Sequence, residues 1–98
     1  MIGYRFLSVA DDEMTEAAMF YEARGIGLGS DFLDDVHQAI DRLRSHPEIG
    51  MNVADNLKRT LLLRFPFSLI YSVEAEEILI VSVAHHRRRP AYWRSRTA

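Results

Sequence analysis

The sequence has no cysteine, no long apolar run and no internal repeat. The lack of cysteine excludes disulfide bonds and thiolate metal sites, and it fits the reducing cytosol. No apolar stretch approaches the roughly 20 residues that a membrane-spanning helix needs. Residues 1–5 also lack the long apolar region that a signal peptide contains. We therefore expect a cytoplasmic protein without a membrane partner.

What the chain does contain is enough for one folded domain, which we expect to cover residues 1–98. Apolar residues make up 48% of the chain and charged residues 27%, a balance typical of globular proteins. The formal net charge of −2 conceals an uneven distribution. Residues 1–56 hold four basic and eleven acidic residues, whereas residues 57–98 hold eight basic and three acidic ones. This split predicts a basic working surface near the end of the chain, although a merely solvated surface is the alternative.

Two helices are predicted in the first half of the chain. A cap at residues 11–12 can start the first helix, which should end at Arg24 because a glycine follows. Four apolar residues at helical spacing form its buried stripe: Met14, Ala17, Ala18 and Tyr21. Ser30 can cap the second helix, and Pro47 prevents its continuation. Residues 25–29 hold three glycines, and we predict a turn between antiparallel helices there rather than a phosphate-binding loop, because no strand precedes them.

Strands are predicted on both sides of this helical hairpin. A short first strand is expected within residues 3–9, and residues 50–56 are expected to form a loop. Three further strands are predicted from β-branched and aromatic runs, at residues 57–64, 68–73 and 78–84. Two consecutive helices can cover one face of such a sheet. The sequence therefore predicts an α+β two-layer sandwich with an N-terminal strand, an antiparallel helical hairpin and then a mainly antiparallel sheet.

Five stretches in order carry a resemblance to a known superfamily. They are residues 10–13 with 17–22, 27–33, 40–43 with 46–48, 61–71, and 80–88 with Pro90, Tyr92, Trp93 and Arg94. The chain resembles the RelE/ParE toxins, and more closely their ParE-like plasmid-stabilisation branch. The resemblance implies a RelE-like fold and a bacterial toxin of a type II toxin–antitoxin system, neutralised by a cognate ParD-like antitoxin. It does not fix the cellular target, because related folds attack different machinery.

ParE-like relatives inhibit DNA gyrase, which requires a recognition surface and no catalytic residue. The end of the chain offers such a surface, called here the basic segment (residues 87–96). The residues predicted to contact the target are Arg87, Arg88, Arg89, Tyr92, Trp93 and Arg94. Aromatic side chains between arginines are typical of binding hot spots. For Trp93, packing on the core is the alternative, with the arginines keeping the chain end soluble.

RelE-like relatives instead cut messenger RNA on the ribosome, a reaction that needs a base, an acid and positive charge at the phosphate. The candidates for these roles are Arg64, His86 (or its neighbour His85), Arg88 and Tyr92. Ser68 stands where many RNA-cutting relatives have an arginine, which argues against cleavage. A third possibility is a relative that has lost its toxicity and only binds its antitoxin.

The remaining residues of interest are apolar or could bind a metal. Met19 and Phe20 lie off the main stripe of the first helix, so they either contact the antitoxin or widen the core contact. The adjacent His85 and His86 point to opposite faces of an extended chain and cannot share one ion. The sequence therefore predicts neither a metal site nor a cofactor.

Overall fold

The computed structural model describes residues 1–97. In these residues the chain forms two helices and a five-stranded sheet in the order β1-β5-β4-β3-β2. The elements are β1 (Gly3–Phe6), α1 (Ser8–Arg24), α2 (Leu28–Ser45), β2 (Met51–Ala54), β3 (Leu57–Leu61), β4 (Phe67–Val73), β5 (Glu77–His85) and a short 3-10 helix (Arg94–Thr97). Strand β1 runs parallel to β5, and the other neighbours are antiparallel. The predicted α+β architecture is confirmed.

Both helices begin earlier than predicted. Helix α1 starts at Ser8 and not at a cap in residues 11–12, so the first strand is shorter than residues 3–9. The reason is that the backbone of Leu7 forms hydrogen bonds both to the sheet and within the first turn of α1. Its amide donates to the carbonyl of Ile80 in β5 at 2.9 Å, and its own carbonyl accepts from Ala10 and Asp11. The chain therefore passes from strand to helix within one residue.

Helix α2 begins at Leu28, two residues before the predicted cap at Ser30. The Glu22 carboxylate of α1 accepts hydrogen bonds from the amide of Gly27 at 3.1 Å and from that of Gly29 at 3.0 Å. A side chain of α1 therefore caps the N-terminus of α2. Gly27 has a φ of 88°, and a Cβ on Gly29 would lie 2.7 Å from the carbonyl oxygen of Ala18. These glycines let the two helices approach closely, as the predicted turn requires.

The expected loop at residues 50–56 contains a strand that the sequence did not predict. Strand β2 lies at the sheet edge and pairs only with β3, with an irregularity between Asn52 and Ala54. None of its four residues is buried, so it lacks the alternating apolar pattern that would have predicted it. The sheet therefore has four strands after the hairpin and not three.

The two faces of the sheet are covered by different parts of the chain. The helices pack on one face, and the predicted stripe of α1 lies against this core. The fully buried side chains at its centre are Phe32, Val36, Ile40, Leu43, Leu69, Tyr71, Ile78 and Ile80. On the other face, Trp93 packs with Leu57, Ile70, Leu79, Val81 and Ala84. The basic segment thus covers the sheet face that the helices leave open.

A buried carboxylate fixes the connection between β3 and β4. Asp35 of α2 is 1% exposed and accepts the amides of Leu63, Arg64 and Phe65 at 3.3, 2.9 and 3.0 Å. These amides point to Asp35 and not to a neighbouring strand, which explains why β3 ends at Leu61 and not at residue 64 as predicted.

We expect replacement of Asp35 by alanine to lower the free energy of unfolding by about 3 kcal/mol, because three backbone amides would lose the buried side-chain acceptor that they share. Urea unfolding would measure the change. The matched control is Asp34→Ala, which removes an exposed carboxylate at the next position and should change stability by less than about 0.5 kcal/mol. Equal effects of the two substitutions would contradict this account of Asp35.

Candidate functional site

The site begins where β5 extends beyond β1. Strand β1 ends at Phe6, which lies opposite Ile80, so the rest of β5 has no strand on that side. A bulge follows at once, because Ile70 of β4 pairs with Ser82 while Tyr71 pairs with Ile80, leaving Val81 as the extra residue. Bulges disrupt the ladder and redirect side chains. The end of β5 therefore presents backbone polar groups that need partners from elsewhere.

An ion pair supplies those partners. The carboxylate of Glu13 in α1 accepts the amide of Val83 at 3.1 Å. The guanidinium of Arg96 donates to the carbonyl of Val81 at 3.0 Å. Glu13 and Arg96 also bind each other through two bonds, of 2.9 and 3.1 Å. The pair thus replaces the missing strand beside β5 and fastens the end of the chain to it.

Two hydroxyl groups complete the network around Glu13. The hydroxyl of Ser82 donates to one carboxylate oxygen at 3.0 Å, and that of Tyr92 donates to the other at 2.8 Å. The two hydroxyl oxygens lie 3.0 Å apart. The Glu13 carboxylate therefore accepts five hydrogen bonds, which compensate for the cost of keeping a charge in a partly buried site.

Burial and hydrogen bonding act in opposite directions on Glu13. The side chains of Glu13 and Arg96 are only 12% and 16% exposed. Burial raises the pKa of Glu13, but hydrogen bonds from Arg96, Tyr92, Val83 and Ser82 outweigh it, so the pKa lies below its ordinary value. The hydrogen bond to Glu13 raises the pKa of Arg96, and burial raises the pKa of the Tyr92 hydroxyl. The pair is therefore charged at neutral pH.

Trp93 is the main apolar anchor of the basic segment. It is 8% exposed and packs with the apolar side chains on the sheet face opposite the helices. Burial of a large apolar side chain stabilises the fold by roughly 2–3 kcal/mol. An exposed indole that bound a cation of the target would contribute only about 0.5–1 kcal/mol. This burial favours the packing alternative for Trp93 over contact with a target.

The other predicted contact residues remain at the surface. Arg87, Arg88, Arg89 and Arg94 are exposed. The guanidinium of Arg88 lies over the ring of Tyr92, 3.9 Å from its centroid. Tyr92 is half-buried, with its hydroxyl turned to Glu13 and its ring under Arg88. Arg88, Arg89, Tyr92 and Trp93 thus line one cleft, whereas Arg94 lies beside residues 54–57 and Arg87 lines neither cleft.

Three of the four residues considered for RNA cleavage share a cleft of about 150 Å³. His86, Arg88 and Tyr92 line it, together with Ser68. Nε2 of His86 and the hydroxyl of Ser68 lie 3.0 Å apart. Arg64 does not line this cleft and instead lies 3.6 Å from a carboxylate oxygen of Asp31. The predicted set is therefore only partly assembled.

The apolar candidates lie near the end of α1 and do not line this cleft. Met19 is 67% and Phe20 51% exposed, so neither widens the core contact. Arg24 lies over the Phe20 ring at 3.9 Å, and Ile26 is fully exposed in the turn that follows. We name these three exposed apolar residues, near the end of α1 and in the turn after it, the hairpin patch (Met19, Phe20 and Ile26).

The sequence interpretation missed Glu13 and Ser82 as parts of this site, and it included Arg96 in the basic segment without predicting its pairing with Glu13. Glu13 had a detectable signal, because it lies three residues after Ala10 and four before Ala17, within the apolar side of α1. Ser82 is the one polar residue in the apolar run at residues 78–84. A carboxylate on a buried helical face and a hydroxyl in a buried strand each need a partner.

No group of three or more histidine and acidic side chains in residues 1–97 is arranged to hold a metal ion. In the same residues, neither helix is long and apolar enough to cross a membrane.

Comparison with known proteins identifies similar chains. A family model described as "ParE toxin of type II toxin-antitoxin system, parDE" matches residues 4–90. A solved structure described as the chromosomal ParDE toxin–antitoxin system from P. aeruginosa has a similar fold, with a TM-score of 0.73 and 19% sequence identity. That alignment covers 87% of this chain and 96% of the other. A search of curated proteins found no match. Tyr92, Trp93, Arg94 and Arg96 lie beyond the matched family region.

The lowered pKa of Glu13 predicts a pH dependence of stability. The ionised carboxylate is favoured in the folded state, so its contribution is present above the ordinary value of 4.5 and is lost as the pH falls through the lower folded value. We expect Glu13→Gln to reduce the free energy of unfolding by about 2 kcal/mol at neutral pH. The difference from the unsubstituted protein should shrink below about pH 4.5.

Urea unfolding followed by the fluorescence of Trp93, the single tryptophan, would measure this difference at several pH values. The control is Glu16→Gln, which removes an exposed carboxylate one turn along α1. A difference that stays constant from about pH 7 to pH 3 would contradict the role given to the Glu13 charge.

Proposed function

The chain belongs to the ParE toxin family of type II toxin–antitoxin systems, and we propose that it stops growth by inhibiting DNA gyrase through the basic segment. The observation that carries the proposal is the exposure of four arginines on a segment anchored to the sheet at Trp93 and Arg96. A cognate ParD-like antitoxin would neutralise the toxin, and the cytoplasm would be its place of action.

The charge of the basic segment supports a target of opposite sign. Residues 85–97 contain no acidic residue, and Arg96 is the one arginine there that pairs with a carboxylate in the described chain. The positive charge of Arg87, Arg88, Arg89 and Arg94 is therefore available to a partner. An acidic face of gyrase, or the phosphates of the DNA bound to it, would suit such a surface.

Cleavage of RNA on the ribosome remains the second candidate, supported by the cleft that contains His86 and Arg88. Two features weigh against it. The hydroxyl of Tyr92 is already bonded to Glu13, so it is poorly placed to donate a proton to a leaving group. Arg64 also lies outside the cleft. Gyrase inhibition needs neither residue in a catalytic role, and we therefore prefer it.

The hairpin patch is the surface that we assign to the antitoxin. It is apolar and exposed, and it lies on the helical hairpin rather than on the basic segment. Antitoxin tails that order on binding commonly lay apolar side chains on such surfaces. A separate antitoxin surface would allow neutralisation without direct contact at every arginine.

Alanine at Arg87, Arg88, Arg89 and Arg94 should abolish growth arrest and weaken gyrase inhibition by about 30-fold or more, because several charge contacts are lost together. The fold should remain intact, since all four side chains are exposed. A supercoiling assay with purified gyrase measures inhibition, and a ribosome-dependent RNA cleavage assay on the same protein tests the second candidate.

A double variant, Arg5→Ala with Arg24→Ala, is the control, because it removes two exposed arginines outside the segment. It should keep full inhibition. Full toxicity in the folded quadruple variant would overturn the assignment of the basic segment. RNA cleavage without gyrase inhibition would favour the second candidate, and neither activity would indicate a relative that only binds its antitoxin.

Acidic residues in the hairpin patch, Met19→Glu with Phe20→Glu, should weaken binding of the cognate antitoxin by at least about tenfold, because a desolvated apolar contact would then bury charge. Calorimetry with the antitoxin encoded beside the toxin gene measures the affinity. The control is Met51→Glu with Leu61→Glu, which places the same two charges on exposed positions of β2 and β3. Unchanged affinity in the patch variant would place the antitoxin elsewhere.

A further inference from the structure

We propose that Glu13 is a positioning residue for target binding, which acts through Tyr92 to hold Arg88 in the orientation that the target requires. This inference rests on the proposed role of the basic segment. Glu13 itself lies on α1 and is mostly buried, so it does not contact the target. Its effect is transmitted by one hydrogen bond and one stacking contact.

The first link joins Glu13 to Tyr92. The Tyr92 hydroxyl donates to the Glu13 carboxylate at 2.8 Å, and it also lies 3.0 Å from the hydroxyl of Ser82. Two partners on different elements, α1 and β5, fix the position of the hydroxyl. Because the hydroxyl is in line with the ring axis, fixing it leaves the ring little freedom to swing away from the sheet.

The second link joins Tyr92 to Arg88. The guanidinium of Arg88 lies 3.9 Å from the centroid of the Tyr92 ring. Within residues 1–97 no side-chain hydrogen bond or ion pair holds this guanidinium. The ring is therefore the surface that restricts the Arg88 side chain. A side chain that is already ordered loses less conformational entropy when it binds a partner.

The backbone around Tyr92 explains why side-chain contacts are needed to fix the position of the Tyr92 ring. Pro90 cannot donate a backbone hydrogen bond, and Ala91 has a φ of 62°, in the left-handed region. The segment here belongs to no strand of the sheet. Trp93 anchors it to the sheet by burial, but an apolar contact is not directional. The directional contact of Tyr92 is the hydrogen bond that its hydroxyl donates to Glu13.

The pairing of Glu13 with Arg96 keeps the carboxylate in place for Tyr92. One oxygen of Glu13 serves Ser82, Val83 and Arg96, while the other serves Tyr92 and the second nitrogen of Arg96. The carboxylate is therefore held by β5 and by the chain end in addition to its bond with Tyr92. Glutamine at this position would keep the size of the side chain but lose the second acceptor, because its amide nitrogen cannot accept the Tyr92 proton.

A double-mutant cycle on the full-length protein tests this coupling. We expect Glu13→Gln to weaken gyrase inhibition by about fivefold and Arg88→Ala to weaken it by about tenfold or more. The double variant should be no weaker than Arg88→Ala alone, because Glu13 acts through Arg88. Glu16→Gln, with the same change of charge on an exposed part of α1, should inhibit like the unsubstituted protein.

A second measurement does not depend on gyrase. The Tyr92 ring should shift the NMR signals of the Arg88 side chain upfield in the unsubstituted protein and in Glu16→Gln. This shift should be largely lost in Glu13→Gln, while Trp93 fluorescence stays that of a buried indole. Tyr92→Phe removes only the hydroxyl and keeps the ring, so it should also lose the shift. That variant keeps the proposal testable if Glu13→Gln fails to fold.

The outcomes separate the two proposals. An unchanged Arg88 shift in folded Glu13→Gln or Tyr92→Phe overturns the positioning role, whatever the protein does to gyrase. If the loss of inhibition in the double variant equals the product of the two single-variant losses, the positioning role is also overturned, because Glu13 would then act independently of Arg88. Loss of the shift in a protein that never inhibits gyrase would support the coupling and refute the proposed target.

Discussion

The structure depends on the unequal lengths of two neighbouring strands. Strand β1 stops opposite Ile80, while β5 continues, so one edge of β5 is left with backbone groups that must be paired. Unpaired polar groups in a largely buried strand are costly. Glu13 and Arg96 fill the gap by accepting from Val83 and donating to Val81. This requirement brings the first helix and the end of the chain to the same place.

The basic segment consequently has two kinds of residue. Trp93 and Arg96 face the protein and fasten the segment to the sheet, the first by burial and the second by charge. The arginines at 87–89 and Arg94 face solvent and remain free for a partner. Tyr92 belongs to both groups, because its hydroxyl is bound inside while its ring supports Arg88. Anchoring residues and exposed arginines are therefore close neighbours in one short stretch of the chain.

Much of the fold could be predicted, and the departures have local physical causes. The apolar stripe of α1 and the stop at Pro47 gave the right helices, because periodicity and proline act over a few residues. Strand β2 was missed because an exposed edge strand has no buried face to impose a pattern. The end of β3 was misplaced because Asp35, far away in sequence, takes the next amides.

The sequence alone determined the two-layer architecture, the family and the exposed arginines of the basic segment, since each is encoded in neighbouring residues or in their order. Only the tertiary structure decided which of the aromatic residues would be buried and which acid would meet which base. Glu13 and Arg96 are 83 positions apart, and no local pattern links them. Their pairing follows from the parallel placement of β1 beside β5, which exists only once the sheet has formed.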